Sequence, residues 1–355
     1  MDFGIFLPIA NNGWIISKNS PQYMPTFELN KEVTIKAENM GLDFVLSMVK
    51  FRGYGGETEH WDYAMDSFNM MAGLAAVTER IGIYATVQPL TLHPAMAARM
   101  AATIDDISNG RFGMNVVAGW NKYEYSQMGL WPGDEFYNDR YDYAEEWLTV
   151  VKGLWDNGRL THKGKYFDLD DCLCQPAPVN KSNPPIVCAG MSEKGLRFTV
   201  KHCNVNFVAG DLEQITSVSA KGKEIAAEME KEIKTYALYT LITADTDEEA
   251  QSIYQHFIDG TDQDSFSGLQ TARSNDKAGS TTEKLLGDIY LAPTLTGSPE
   301  TIVDFIEHLS TNTEVDGLLF AFPDFIKDTD YFEEKILPLI EARGLRNKVI
   351  ERIEA

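Results

Sequence analysis

The chain has 355 residues and a formal net charge of -22. That charge repels nucleic-acid phosphates and anionic lipid heads, and with no basic stripe to offset it, neither a nucleic acid nor a membrane is expected as partner. Asp, Lys, Glu or Gly breaks every apolar run short of the roughly 18 residues that a membrane span needs, and four cysteines, Cys172, Cys174, Cys188 and Cys203, are too few for a disulfide scaffold in so long a chain. The start, Met1-Asp2-Phe3-Gly4, has neither the basic segment nor the apolar core of a secretory signal, so a cytoplasmic location is expected.

Eight apolar runs rich in β-branched residues begin near Phe3, Phe44, Gly82, Phe112, Pro185, Val205, Tyr236 and Gly317, and most are followed by a helical pattern. Eight strand-helix units predict a closed parallel (β/α)8 TIM barrel with insertions, one domain over residues 1–355. Strand Phe3–Pro8 leads through a polar loop to a helix near Glu28–Ala37, which Gly41 suits as a C-terminal cap. Strand Phe44–Val49 ends at Lys50. Helix Ser67–Thr78, strand Ile83–Val87, helix Pro94–Ile107 and strand Phe112–Val117 follow, with Pro94 at the helix start that proline favours. Residues 119–171 hold an aromatic-rich loop, a helix near Tyr141–Trp155 and a strand Lys165–Leu169 outside the barrel pattern, and read as an insertion over the exit of strand four. Strand Pro185–Ala189 leads through Gly190-Met191-Ser192 into a helix. Residues 260–290, rich in Gly, Ser, Thr, Asp and Asn, read as a mobile loop before the Ser298-Pro299-Glu300 helix start and the closing strand Gly317–Phe322.

Barrel chemistry sits at the C-terminal ends of the strands. The polar residues there are Lys50 beside Val49, Thr86, Asn115, Glu124 and Ser192. Each has two readings. Asn115 is either a core amide bonded to backbone or a ligand contact, because a buried amide must satisfy all its hydrogen-bonding atoms. Lys50 and Glu124 are either a solvated ion pair or site residues. Thr86 either packs a strand or contacts a ligand. Ser192 caps a helix whose N-terminus is also a ready anion site. Arg140 and Tyr141 offer a bidentate cation and a phenol suited to a phosphate monoester, and equally fit a helix surface. Gly53-Tyr54-Gly55-Gly56 is a poor dinucleotide fingerprint and reads as a flexible loop. Cys172-x-Cys174 has the wrong spacing for zinc, and His60, His93, His162, His202, His256 and His308 are scattered, so no metal site is expected.

Longer words identify more. Asn11-Asn12-Gly13-Trp14, Pro21-Gln22-Tyr23-Met24-Pro25-Thr26-Phe27-Glu28-Leu29-Asn30, Met71-Ala72-Gly73-Leu74-Ala75-Ala76-Val77-Thr78, Met100-Ala101-Ala102-Thr103-Ile104-Asp105, Gly119-Trp120, Glu124-Tyr125 and Gln127-Met128-Gly129-Leu130-Trp131-Pro132-Gly133-Asp134 stand in this chain. By these it resembles the bacterial luciferase-like flavin monooxygenases, in the branch that opens pyrimidines, closely through about residue 210 and more loosely beyond. The resemblance implies a single barrel that takes reduced FMN and O2, with NADH consumed by a separate flavin reductase. It places Val49, Lys50, Asn115, Glu124, Arg140, Tyr141 and Ser192 against the flavin, the last three nearest its phosphate. Thr86 and Asn115 match the positions that hold dioxygen, a task suited to a neutral amide and hydroxyl in a dry pocket. Met48, Trp120 and Tyr125 are candidate walls for a flat substrate ring.

The implied reaction opens uracil or thymine between N3 and C4 to a ureidoacrylate-type product, in a homo-oligomer. Gln88-Pro89-Leu90-Thr91-Leu92-His93-Pro94 and the segment Asp211–Thr235 depart from that branch. Another amide-bearing heterocycle as substrate, a non-catalytic flavin-binding barrel and a deazaflavin-dependent dehydrogenase are the competing readings.

Overall fold

The computed structural model describes residues 1–179, 183–274 and 289–346. Its strands are β1 (Asp2–Phe6), β2 (Phe44–Leu46), β3 (Gly82–Val87), β4 (Phe112–Val116), β5 (Arg159–Lys163), β6 (Asp168–Leu173), β7 (Ile186–Cys188), β8 (Val205–Val208), β9 (Lys234–Thr243), β10 (Thr294–Gly297) and β11 (Gly317–Ala321). The order β9-β11-β1-β2-β3-β4-β7-β8 returns to β9 through a further β8–β9 pairing, so eight parallel strands close a barrel. The fold is the (β/α)8 barrel that the strand count predicts, and β10, which the sequence pattern does not announce, pairs with the upper part of β9.

Alternate residues of a strand face the same side, and the lower barrel shows which side is inside. Phe44 stacks on Tyr236 with ring centroids 5.1 Å apart and meets Tyr84 edge-on at 5.4 Å. Directly across the ladder from these aromatics stand glycines: Gly4 opposite Phe44, Gly113 opposite Tyr84 and Gly317 opposite Tyr236. A Cβ on Gly113 would lie 2.2 Å from the Tyr84 ring, and one on Gly317 2.8 Å from Tyr236. Three rings thus fill the barrel floor because three facing positions have no side chain. Two residues further along β3 and β4, on the same inner face, are Thr86 and Asn115.

The segment 119–171 divides. The helices Lys122–Ser126 and Phe136–Asn157 come first, and the second packs against the Pro94–Ile107 helix as a member of the outer ring. The antiparallel pair β5–β6 follows as the true addition to the barrel pattern, longer than the predicted Lys165–Leu169 strand.

The predicted mobile loop over 260–290 requires correction in its first part, because Gln263–Ser274 is a helix. Its buried residues Ser265, Leu269 and Ala272 fall at i, i+4 and i+7, a helical spacing hidden by polar composition. Asp262 Oδ1 accepts the Ser265 N–H at 3.3 Å, as a cap does. Residues 275–288 of that expected loop lie outside the described residues. No helix among the described residues is long and apolar enough to cross a membrane.

The floor gives a stability prediction. Gly113→Ala forces its methyl against Tyr84 and is expected to cost about 1–3 kcal/mol by overpacking, read as a lowered melting temperature. The paired change Gly113→Ala with Tyr84→Leu is expected to recover part of that loss.

Candidate active site

Parallel register sets the first pair. Thr86 on β3 stands directly opposite Asn115 on β4, and Asn115 Nδ2 donates to Thr86 Oγ1 at 3.0 Å. The Thr86 hydroxyl donates in turn to the Ser47 carbonyl at the end of β2. Its N–H donates to Ser67 Oγ at 2.8 Å, and Ser67 Oγ lies 2.6 Å from Ser47 Oγ. Both side chains are buried, yet Asn115 Oδ1 has no hydrogen-bond partner within the protein. Asn115 is therefore not the backbone-satisfied core amide of the bland reading. One acceptor is left dry at the inner wall, an arrangement that a bound ligand would relieve.

The second pair lies at the exits of β2 and β4. Lys50 Nζ and Glu124 Oε1 are 2.5 Å apart, with side chains only 4% and 3% exposed, so the solvated-pair reading does not hold. Glu124 Oε1 also accepts from Asn121 Nδ2 at 3.0 Å, and Oε2 accepts from the Phe51 N–H and Gln88 Nε2, each at 3.4 Å. The ammonium donates to Tyr54 Oη at 3.3 Å and lies 4.5, 5.4 and 5.8 Å from the ring centroids of Tyr54, Trp61 and Trp120. Burial works against its charge, but the attraction and hydrogen bonds of Glu124 and Tyr54 outweigh burial and raise the Lys50 pKa. Sequence reading missed Gln88, Asn121 and Trp61 here. The Asn121-x-x-Glu124 spacing, a helix cap followed by an acid in the first turn, was the available signal.

A third group gathers at the end of β7. Ser192 caps the helix Glu193–His202, its Oγ accepting the Gly195 N–H at 3.2 Å. A Cβ on Gly195 would lie 2.7 Å from Tyr141 Oη and 3.2 Å from Ser192 Oγ, so the bare glycine leaves a cradle between two hydroxyls. Arg140 is buried rather than on the helix surface, and its Nη1 donates to the Gly119 carbonyl at 3.4 Å. Gly119 itself, at φ +88°, admits the Tyr125 phenol so closely that a Cβ there would overlap it. Burial, with Glu124 beside it, holds that phenol well above its ordinary pKa, and Tyr125 Oη has no protein partner.

Of the other expected residues, Met48 is buried, while Val49 and Trp120 are half-buried. All follow the exits of β2 or β4. A cavity of about 680 Å³ opens elsewhere, at the strands' N-terminal end between Tyr84, Asn204, Lys223, Lys231, Lys234 and Tyr236, and touches neither Thr86 nor Asn115. Its lysines already bond Asp316, the Lys201 carbonyl and Asp2. Among the described residues no group of three or more His, Cys, Asp or Glu is placed to hold a metal ion.

A closed (β/α)8 barrel with buried polar pairs at the exits of consecutive strands is the build of a barrel enzyme. Residues 1–316 match the family model of the luciferase-like monooxygenases, and the chain belongs to that family and is a monooxygenase. It is similar to the pyrimidine monooxygenase RutA of Methylorubrum extorquens, 44% identical over 354 residues that cover 97% of each chain. The protein of that name from Caulobacter vibrioides is 45% identical over 357 residues, 97% of this chain and 99% of its own. A riboflavin lyase, RcaE, solved with modified FMN and riboflavin, superposes with a TM-score of 0.84 over 98% of this chain and 92% of that one. At 21% identity that likeness is one of fold.

Two predictions follow from the buried charges. Lys50→Met strands the Glu124 carboxylate in the interior and is expected to cost about 3–5 kcal/mol, whereas Lys50→Met with Glu124→Leu removes both charges and is expected to recover most of it; denaturant titration of the three proteins checks this. The second concerns acid. Burial, opposed by Asp262 and aided by Lys50, pushes His60 down to about 3, whereas an unperturbed imidazole titrates near 6.5. Between those values the unfolded chain takes a proton that the folded one refuses, so the His60 contribution to stability is whole above about pH 6.5 and is lost progressively toward pH 3. Melting curves of wild type and His60→Phe across pH 4–7 are expected to show a shallower acid loss in the variant.

Proposed function

We propose that the chain is the oxygenase of a two-component, FMN-dependent system that opens uracil or thymine between N3 and C4, giving a ureidoacrylate-type product, with NADH used by a separate flavin reductase. The observation that carries this reading is the Thr86–Asn115 pair, held on the inner face of the barrel with Asn115 Oδ1 unsatisfied. The near-full-length similarity to pyrimidine monooxygenases supports the substrate class.

The residues present fit flavin mononucleotide. The Gly195 cradle between Tyr141 Oη and Ser192 Oγ, at a helix N-terminus and with the Arg140 guanidinium nearby in sequence and buried, suits a phosphate monoester. Val49 and Lys50, which follow β2, and Glu124, which follows β4, share the rim with that cradle and would border the ring system. When bound, reduced FMN supplies the two electrons and the site at which O2 is activated.

The chain's own residues then have three tasks. The second Nδ2 hydrogen of Asn115 offers the oxygen a neutral donor that keeps its proton, and Thr86, whose own proton goes to the Ser47 carbonyl, holds that amide in place. Because the Thr86 hydroxyl is committed to the Ser47 carbonyl and receives the Asn115 amide, both side chains are fixed before any ligand arrives. Lys50 and Glu124 neutralise one another, so that the pair adds no net charge at the mouth of the barrel. On this reading Met48, Trp120 and Tyr125 would flank the flat heterocycle.

With reduced FMN supplied by an added reductase, uracil is expected to disappear with formation of a ureido acid seen by mass spectrometry. Thr86→Val and Asn115→Leu, which keep volume and remove the polar groups, are expected to lower kcat/KM by about 10²-fold while reduced flavin is still oxidised by O2 without substrate turnover. Wild-type turnover in both variants would refute the assignment.

A further inference from the structure

The loop leaving β2 carries a histidine for which the chemistry above has no use. His60 is wholly buried, and neither ring nitrogen has a hydrogen-bond partner. Such a group is costly to keep, since an apolar side chain of the same shape would avoid the desolvation. The backbone around it is strained as well. Glu59 and Trp61, on either side, both lie in the left-handed region at φ +46° and +62°, disfavoured for bulky residues.

The loop is fastened on two sides in that conformation. Asn11 Nδ2 donates to the Glu59 carbonyl at 2.9 Å and Asn12 Nδ2 to the Thr58 carbonyl at 2.7 Å. From the other side, Asp262 Oδ2 accepts the Thr58 N–H at 2.7 Å and the Thr58 hydroxyl at 2.8 Å, and the Ser265 hydroxyl donates to the Gly55 carbonyl. Gly268 lets its helix lie directly on the Tyr54 carbonyl. Strained, over-determined backbone of this kind clusters at active sites and ligand clamps.

The ring's surroundings show where it stands. The imidazole stacks on Trp61 with centroids 5.4 Å apart, and Trp61 meets Trp14 edge-on at 5.2 Å and lies 5.4 Å from Lys50 Nζ. Trp14 in turn stacks on Phe6, an inner-face residue of β1, at 4.5 Å. His60 therefore backs an aromatic wall that runs from the barrel interior to the buried ion pair. Burial keeps it neutral at ordinary pH, so it offers one N–H and one lone pair.

We propose that His60 is a specificity-determining residue of the substrate site, donating its ring N–H to a carbonyl oxygen of a ligand that carries an imide group. The assignment deepens the pyrimidine reading and rests on it, since uracil and thymine both present such a group.

The test uses the full chain loaded with FMN. His60→Phe keeps a flat ring on Trp61 and deletes both nitrogens, and His60→Gln keeps a side-chain N–H. Calorimetric titration with uracil, steady-state kinetics with an added reductase, FMN affinity and melting temperature are measured for each. In His60→Phe the melting temperature and FMN affinity are expected to equal or exceed those of wild type, while Kd and KM for uracil rise roughly tenfold or more and kcat changes far less. His60→Gln is expected to regain part of the lost affinity. Unchanged uracil affinity in His60→Phe overturns the assignment alone. Failure of that variant to fold, or a fall in melting temperature, also overturns it, by showing that the imidazole serves packing. A wild type that binds no pyrimidine overturns the substrate reading and this assignment with it.

Discussion

The Lys50 ammonium and the Glu124 carboxylate meet at 2.5 Å inside the barrel mouth, and the arrangement of the site depends on that contact. Two charges removed from water are tolerable only when close, aligned and further hydrogen-bonded. Asn121, Gln88, Phe51 and Tyr54 supply those further bonds. The cost of satisfying the pair thus draws the exits of β2, β3 and β4 toward one point. The pair is in itself weak evidence for stability.

Below the pair, register carries the design. Phe44, Tyr84 and Tyr236 over facing glycines fill the floor, so that the next inner positions of β3 and β4 fall at the level where a pocket can begin. A slip of one residue between those strands would turn Asn115 away from Thr86 and out of the barrel. The inner wall consequently has one amide–hydroxyl contact with a single acceptor to spare, and the outer rim at β7 has the glycine cradle beside Tyr141 and Ser192. On the proposed reading these are the oxygen end and the phosphate end of one elongated cofactor site.

Much of this is legible in the sequence. Strand periodicity is strong where both faces are buried, so all eight barrel strands begin near the expected residues, and Ser192 caps its helix as its position before Glu193-Lys194-Gly195 suggests. Less legible is whatever long-range contact decides. Lys50 and Glu124 are 74 positions apart, and no local pattern reveals that both are buried. Gly53-Tyr54-Gly55-Gly56 has the composition of a flexible loop, yet Asp262 and Ser265, more than two hundred positions on, clamp it. The same helix was obscured because polar residues cover its outward face. His60 looked like one of six scattered histidines, since strain and desolvation have no signature in composition.

On the proposed reading this mouth delivers an oxygen atom from O2 to a pyrimidine ring. Turnover of uracil under 18O2, with reduced FMN supplied by an added reductase and the product weighed by mass spectrometry, tests it most directly. A ureido acid carrying 18O in its new carboxyl group is expected, formed only when uracil, reduced FMN and O2 are all present. Consumption of reduced flavin with no labelled product from uracil or thymine would contradict it.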